Sequence, residues 1–300
     1  MKDIFVIGTC DTKWSEVRFV RERLAAAGVN ARILDVSTTV HDHSVDIPAN
    51  EVAKFHPDRP DFLQSNEGRG DAVACMAIAL ERYLGQGNEI AGAIGLGGSG
   101  GTALISAGLR ALPVGVPKVM ISTVASGQVA PYIGATDIFM VYSITDIAGI
   151  NSISNVILSN AAHALAGMLL NSHPPYSSDR PLLGLTMFGV TTPCVTQIRQ
   201  QLDQDYECLV FHATGTGGRS MEKLVASGLI PHVIDITTTE ICDLHMGGIM
   251  SAGEQRMDAI LASGIPYVVS VGAMDMVNFG GMDTVPEKYV SRKLYRHNPQ

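Results

Sequence analysis

The sequence predicts an α/β protein of two domains, each built on a mainly parallel sheet. Three observations carry this. Short apolar strands alternate with helical stretches, and glycine-rich turns fall where strands end and helices begin. The third is a Pro- and Ser-rich stretch from Asn171 to Pro181, which cannot continue a helix and suits a semi-extended linker. The expected domains are 1–173 and 182–300. With 300 residues and 46% apolar content, the chain can bury two cores of ordinary size.

Ile4 to Ile7 reads as the first strand. It enters Gly8-Thr-Cys-Asp-Thr-Lys13, then a helix from Trp14 to Ala27 that Gly28 closes. Ala31 to Val36 is the second strand, and the right-handed crossover between the two makes them parallel. Residues 37–66 are polar and carry His41, His43, His56 and three prolines. A loop this long inside a compact domain is usually functional. A helix is expected over 67–84, then the strand Ile90 to Leu96, which breaks into Gly97-Gly98-Ser99-Gly100-Gly101 before a helical pattern resumes at Thr102. Pro117 to Thr123 and Thr136 to Ser143 are strands flanking a loop at 125–134. A long helix follows from Ile150 to Leu170.

The second half repeats the style. Leu182 to Phe188 is a strand, 189–193 a turn, and Cys194 to Leu202 a helix. The strand Cys208 to Ala213 runs into Thr214-Gly215-Thr216-Gly217-Gly218-Arg219-Ser220, a helix from Met221 to Ser227, and the strand His232 to Thr237.

Composition narrows the function classes. The net charge is −8 with no basic block, which argues against nonspecific binding to nucleic acid or an anionic membrane. Five dispersed cysteines without C-x-x-C spacing fit reduced thiols of a cytoplasmic protein. Cys10, near a helix start, reads as a buried inert thiol in preference to an activated one. No signal-peptide pattern opens the sequence. The uncharged run after Asp146 carries Asn151, Ser152, Ser154, Asn155, Ser159, Asn160 and His163, too many polar groups for hydrocarbon, so a buried or interface helix is expected.

In open α/β sheets, ligands collect at the carboxyl ends of strands. Gly95, Gly97 and Gly100 satisfy the dinucleotide G-x-G-x-x-G spacing, yet the next strand ends in hydroxyls with no carboxylate for a ribose. No Walker lysine precedes Thr102. Two readings stay open: a phosphate cradle, or a tight turn needing glycine for close packing. In the first loop Thr9 and Thr12 offer hydroxyls and Lys13 a positive charge. Asp11 can face Mg²⁺ or a ribose, or, with Thr12, cap a helix. Arg69 is a further phosphate candidate. In the second domain Gly215, Thr216, Gly217, Gly218 and Arg219 form another anion cradle, with Glu240 nearby as a second-site residue. A rival reading gathers His212, Glu240, Asp243 and His245 into a metal-dependent hydrolase, although that spacing is no recognised ligand pattern. A noncatalytic ligand sensor is the third.

Several long motifs occur in one order: Gly-Thr-Cys-Asp-Thr-Lys at 8–13, Gly-Leu-Gly-Gly-Ser-Gly-Gly-Thr at 95–102, Ala-Thr-Gly-Thr-Gly-Gly-Arg-Ser at 213–220, Asp-Ile-Thr-Thr-Thr-Glu at 235–240, Ser-Ala-Gly at 251–253 and Gly-Ala-Met-Asp-Met-Val-Asn-Phe-Gly at 272–280. With them the chain resembles, over its whole length, the bacterial uncharacterised relatives of the ATP-binding inhibitory domain of the plant tobamovirus (tomato mosaic virus) resistance protein. The resemblance implies two Rossmann-like domains, ATP bound by the first, and a homodimer or higher homo-oligomer. By position, the ATP candidates are Thr9, Asp11, Thr12, Lys13, Arg69, Gly97, Gly98, Ser99, Gly100, Gly101 and Thr102, with ATP accompanied by Mg²⁺ and a small molecule as a second ligand. The chain departs from the family at Trp14, where glycine is commoner; the ring is expected to narrow the phosphate loop or stack on the base. Family members also continue past Gln300, so the second domain is expected to be truncated.

Overall fold

A computed structural model describes residues 2–64, 68–86, 89–171 and 179–297. Most of the expected linker, and Glu67 at the start of the helix expected over 67–84, lie outside the described residues. The chain divides into two units, residues 1–174 and 175–300.

Unit 1 holds strands β1 (Asp3–Gly8), β2 (Arg32–Asp35), β3 (Ile90–Gly97), β4 (Lys118–Ser122) and β5 (Phe139–Tyr142), all parallel, in the order β2-β1-β3-β4-β5. Its helices are α1 (Cys10–Ala26), α2 (Ala49–Ala53), α3 (Arg69–Gly85), α4 (Ser99–Ala111), α5 (Ala130–Ile133) and α6 (Ser152–Leu170). Alternation along the strands divides the apolar side chains between two cores. Phe5, Ile7, Leu34 and Met120 face α2, α3 and α4, whereas Val6, Ile33, Ile94 and Val119 face α1 and α6. Each fully buried aliphatic side chain in such a core contributes about 1.5–3 kcal/mol. Gly108 lets α4 lie close on α3, since a Cβ there would meet Leu80 Cγ at 2.6 Å. The inner stripe of α6 (Leu158, Ala161, Ala162, Leu165 and Ala166) is buried in the core it shares with α1, as the polar interruptions of this apolar stretch suggest.

The fold has a consequence for the site. The chain leaves β1 for α1 on one face of the sheet and leaves β3 for α4 on the other. Between β1 and β3 the connections therefore diverge, and a crevice opens at the carboxyl edge. The loops expected to face each other, 8–13 and 97–102, start at the two strands that bound it.

Unit 2 repeats the arrangement with β6 (Leu182–Met187), β7 (Glu207–His212), β8 (His232–Thr237) and β9 (Tyr267–Gly272), parallel in the order β7-β6-β8-β9. Helix α7 (Thr192–Leu202) covers one face; α8 (Thr216–Ala226) and α10 (Asp258–Ser263) cover the other, and α9 (Thr239–Met246) follows β8. Its divergence lies between β6 and β8.

Several boundaries differ from expectation, for one reason. Helices α1, α4 and α8 begin at Cys10, Ser99 and Thr216, earlier than Trp14, Thr102 and Met221. Glycine and small polar residues read as turn in the sequence, yet they lie in first helical turns, where hydrogen bonds to carbonyls behind them decide the conformation. Examples are Thr102 N–H to Gly98 O at 2.7 Å and Lys13 N–H to Thr9 O at 2.8 Å. The polar stretch after β2 also contains α2 and a short 3₁₀ turn at Phe62–Gln64.

At the opposite edge, Lys118 is buried at the start of β4. Its ammonium donates to Pro113 O (2.8 Å) and Val116 O (2.7 Å) and pairs with Asp137 (2.7 Å), although burial pulls its pKa down. Lys118→Met removes a charged donor from the Val116 and Pro113 carbonyls and leaves Pro113 O with the Val116 N–H at 3.3 Å. It should lower the stability of unit 1 by about 1–3 kcal/mol, with Asp137→Asn costing less because Asp137 is part-exposed. Urea unfolding followed by Trp14, the only tryptophan and located in unit 1, measures both.

Candidate functional site

Among the helices that follow strands, α1 after β1, α4 after β3 and α8 after β7 begin at the glycine-bearing motifs 8–13, 97–102 and 214–220. The first N–H groups of any helix lack intrahelical acceptors, and they attract an anion. The three starts differ in what accepts those groups.

At α1 the chain supplies its own anion. Asp35, buried at the end of β2, accepts the N–H of Cys10 at 3.1 Å, and Ser37 Oγ accepts that of Asp11 at 2.9 Å. Asp35 also accepts the Ser37 amide (3.0 Å) and lies 2.9 Å from His41 Nε2. In dinucleotide folds an acid at the end of β2 holds a ribose; here it is consumed within the protein. Burial, and then the charge of Asp35, raises the Cys10 thiol far above its ordinary range, which fits an inert cysteine. Asp11 accepts hydroxyls from Thr39 and, at 3.2 Å, Thr12, while the Thr9 and Thr12 hydroxyls are 3.0 Å apart. Lys13 breaks helical geometry (φ −126°) and sends its ammonium to the Ile147 carbonyl. Trp14 stacks on His43, ring centroids 4.8 Å apart and planes within 5°, and so is engaged by the protein's own imidazole.

At α8 the anion is Glu240, which has no meaningful exposure. Its Oε1 accepts the N–H groups of Gly215 (2.7 Å) and Gly218 (3.1 Å), and Arg256 Nε binds its Oε2 at 2.8 Å. The glycines here are dictated by packing. A Cβ on Gly218 would collide with Glu240, and one on Gly217 with the His212 backbone. The expected second anion cradle is therefore filled from within, and Glu240 is its anion, not a partner for a bound one. Arg219 and Thr216 are exposed at the rim, with Arg219 reaching Thr216 Oγ1 and Ser251 O.

Arg256 joins this cap to two more buried carboxylates, Asp235 (2.7 Å) and Glu222 (3.1 Å). Glu222 in turn accepts the Met257 and Ala259 amides at the start of α10. Burial opposes the Arg256 charge, but Asp235 and Glu240 outweigh it and raise its pKa. Burial and Asp235 likewise raise the Tyr267 hydroxyl, which lies 3.0 Å from Asp235. Spacing gave no hint of Arg256, Glu222 or Asp35 as functional caps.

The rival metal cluster is not assembled. Glu240 is bound to Arg256, and Asp243 accepts the Met250 and Asn278 amides at 2.9 Å each. His212 is exposed and stacks on Phe188, and His245 is exposed on α9. Among the described residues no group of three His, Cys, Asp or Glu side chains could hold a metal ion.

At α4 the situation is reversed. The N-cap is Gly98, which brings no side chain, and among the described residues no carboxylate or hydroxyl accepts the N–H groups of Ser99, Gly100 or Gly101. Ser99 and Gly100 are exposed, and a Cβ on Gly100 or Gly101 would meet nothing within 4 Å. Packing explains only Gly97, whose Cβ would lie 2.9 Å from the Gly101 backbone. Thr102 faces inward instead. Its hydroxyl lies 2.7 Å from Ser122 Oγ and 3.3 Å from Gly97 O, tying the turn to the end of β4. Arg69 is exposed at the first residue of α3, the helix packed beside α4, so both starts share one edge.

Residues 2–174 match the family described as "Uncharacterised protein family (UPF0261) N-terminal domain", and 180–300 match its C-terminal domain. A UPF0261 protein of Mesorhizobium japonicum is 53% identical over 299 residues, covering 100% of this chain and 75% of that protein. The ToMV resistance protein Tm-1(GCR237) of Solanum lycopersicum is 46% identical over 322 residues, covering 99% of this chain but 43% of the tomato protein. A solved structure of Methanocaldococcus jannaschii UDP-GlcNAc 2-epimerase covers 98% of this chain and 94% of its own at 10% identity. The TM-score is 0.29.

Arg256→Met strands Glu240, Asp235 and Glu222 without their cation. It should cost unit 2 about 3–5 kcal/mol, while Arg219→Met at the exposed rim should stay within about 0.5 kcal/mol. Urea unfolding followed by far-ultraviolet circular dichroism measures both.

Proposed function

The chain belongs to the uncharacterised protein family UPF0261, both of whose domains it carries, and on that premise we propose that it is a nucleotide-binding protein. It takes one ATP at the crevice between β1 and β3, with the phosphates on the start of α4. The observation that carries this reading is the contrast among the three helix starts. Those of α1 and α8 are closed by Asp35 and Glu240, and that of α4 is open at the edge where α/β sheets bind ligands.

The residues fit a phosphate chain. Ser99, Gly100 and Gly101 present backbone N–H groups beside open space, so a phosphate can approach closely. Arg69 is an exposed cation at the same edge; Lys13 joins it by exchanging the Ile147 carbonyl for a phosphate, and Asp11, which accepts the Thr12 and Thr39 hydroxyls, is a carboxylate that can face a Mg²⁺ carried by the phosphates. Thr102 supports the turn from behind. Dinucleotides fit less well, because Asp35 is committed to α1 and β4 ends in Ser122, followed by Thr123, with no carboxylate. The same reading places the protein in small-molecule metabolism or its regulation, in the cytoplasm, as a homodimer.

Calorimetry with ATP and NAD tests it. ATP should bind and NAD should not. Gly100→Val should abolish ATP binding with the fold intact, because its side chain enters free space in front of the amides. Lys13→Met should weaken ATP by about tenfold, the loss of one charged hydrogen bond. Tight NAD binding, or ATP binding unchanged in Gly100→Val, would overturn the reading.

A further inference from the structure

The segment after β2 is attached to α1 in an unusual way. Ser37 caps Asp11, the Thr39 hydroxyl donates to the Asp11 carboxylate, and His43 lays its ring flat on Trp14. At its far end Asp46 accepts the Ile33 amide at 2.8 Å and pairs with Arg21, and Ile47 bridges to Leu34. Residues 38–45 thus form a strap over the beginning of α1, pinned at both ends.

The centre of the strap is held by one imidazole in one protonation state. His41 Nδ1 accepts the backbone N–H of His43 at 3.2 Å, so that nitrogen carries no proton. The ring's proton is then on Nε2, donated to Asp35 at 2.9 Å. A second proton can enter only at Nδ1, where it would oppose the His43 N–H, donor against donor. The titratable groups that face the ring are Asp35 on β2 directly, the His43 ring on the strap at 5.3 Å, and Asp11 on α1 behind Thr39. Lys13 on α1 turns its ammonium to Ile147 O, Asp42 is exposed on the strap itself, and Asp46 and Arg21 neutralise each other at the base.

We infer that residues 38–45 are a pH-sensitive clasp: the second proton on His41 keeps that ring on Asp35 but expels the His43 amide, and His43 leaves Trp14. Opening takes up a proton, so acid favours the open strap and neutral pH the closed one. Histidine is the side chain that ordinarily changes charge between about pH 5 and 8. The consequence is a cover over the first turn of α1 that loosens as the medium acidifies. It does not depend on which ligand the crevice takes.

The full chain carries its own probe in Trp14. Its emission should change in one transition between about pH 8 and 5 while far-ultraviolet circular dichroism stays constant. His43→Phe, which can stack but not titrate, should keep the transition. His41→Gln, whose amide can bond Asp35 but cannot take up a proton, should lose it. In the wild-type chain, hydrogen exchange of the His43 amide, corrected for intrinsic pH dependence, should lose protection across the same interval. A flat wild-type profile, a transition abolished by His43→Phe, or an unchanged one in His41→Gln would overturn the inference. If His41→Gln does not fold, constant His43 protection across the interval in the wild type overturns it alone.

Discussion

A carboxylate with no access to water sits at the start of α8. Glu240 accepts two backbone N–H groups and holds the guanidinium of Arg256, which in turn holds Asp235 and Glu222. Leaving any of these charges buried without its partners would cost several kcal/mol, so the cluster holds as a unit. It fixes the turn at 214–218, the start of α10 and the end of β8 together. Asp35 does the equivalent for α1 in unit 1, with Ser37 and His41 attached to it. A helix start is a binding site only where the chain has not already bound it.

The same distinction separates the two divergence points. In unit 2 the strands beside the crevice are laced by hydroxyls. Thr186 bonds Asp235, its Oγ1 accepts the Thr237 amide at 2.9 Å, and Thr237 Oγ1 lies 2.7 Å from Thr191. In unit 1 the corresponding strands end in Gly8 and Gly97, and the Thr102 hydroxyl behind the α4 turn points inward to Ser122. Two sheets of related strand order thus make a filled edge and an open one.

Much of this was legible in the sequence. The apolar runs at 4–7, 90–96 and 232–237 mark strands because alternate residues must face two cores, and the glycines at 97–101 mark an abrupt change of direction. The identity of the open cradle was not legible. Gly215-Thr-Gly-Gly and Gly97-Gly-Ser-Gly-Gly look alike as strings, and what separates them is a carboxylate more than twenty residues away in the first case. In the sequence Glu240 reads as a ligand for something else, because spacing shows that an acid is near a turn and not which way it faces. Asp35 was passed over as the last polar residue of a strand. Arg256, between Gln255 and Met257 in a stretch without periodicity, gave no signal at all. Trp14 was read against a ligand, yet His43, 29 residues on, takes its face.

Of the helix starts at α1, α4 and α8, that of α4 should be the one free to take an anion. An ATP titration followed by amide nuclear magnetic resonance tests it most directly, since each start carries its own reporters. The N–H signals of Ser99, Gly100 and Gly101 should move with a common saturation curve while those of Cys10, Gly215 and Gly218 stay in place. Saturable shifts at Gly215 and Gly218 with Ser99 to Gly101 unmoved would contradict it.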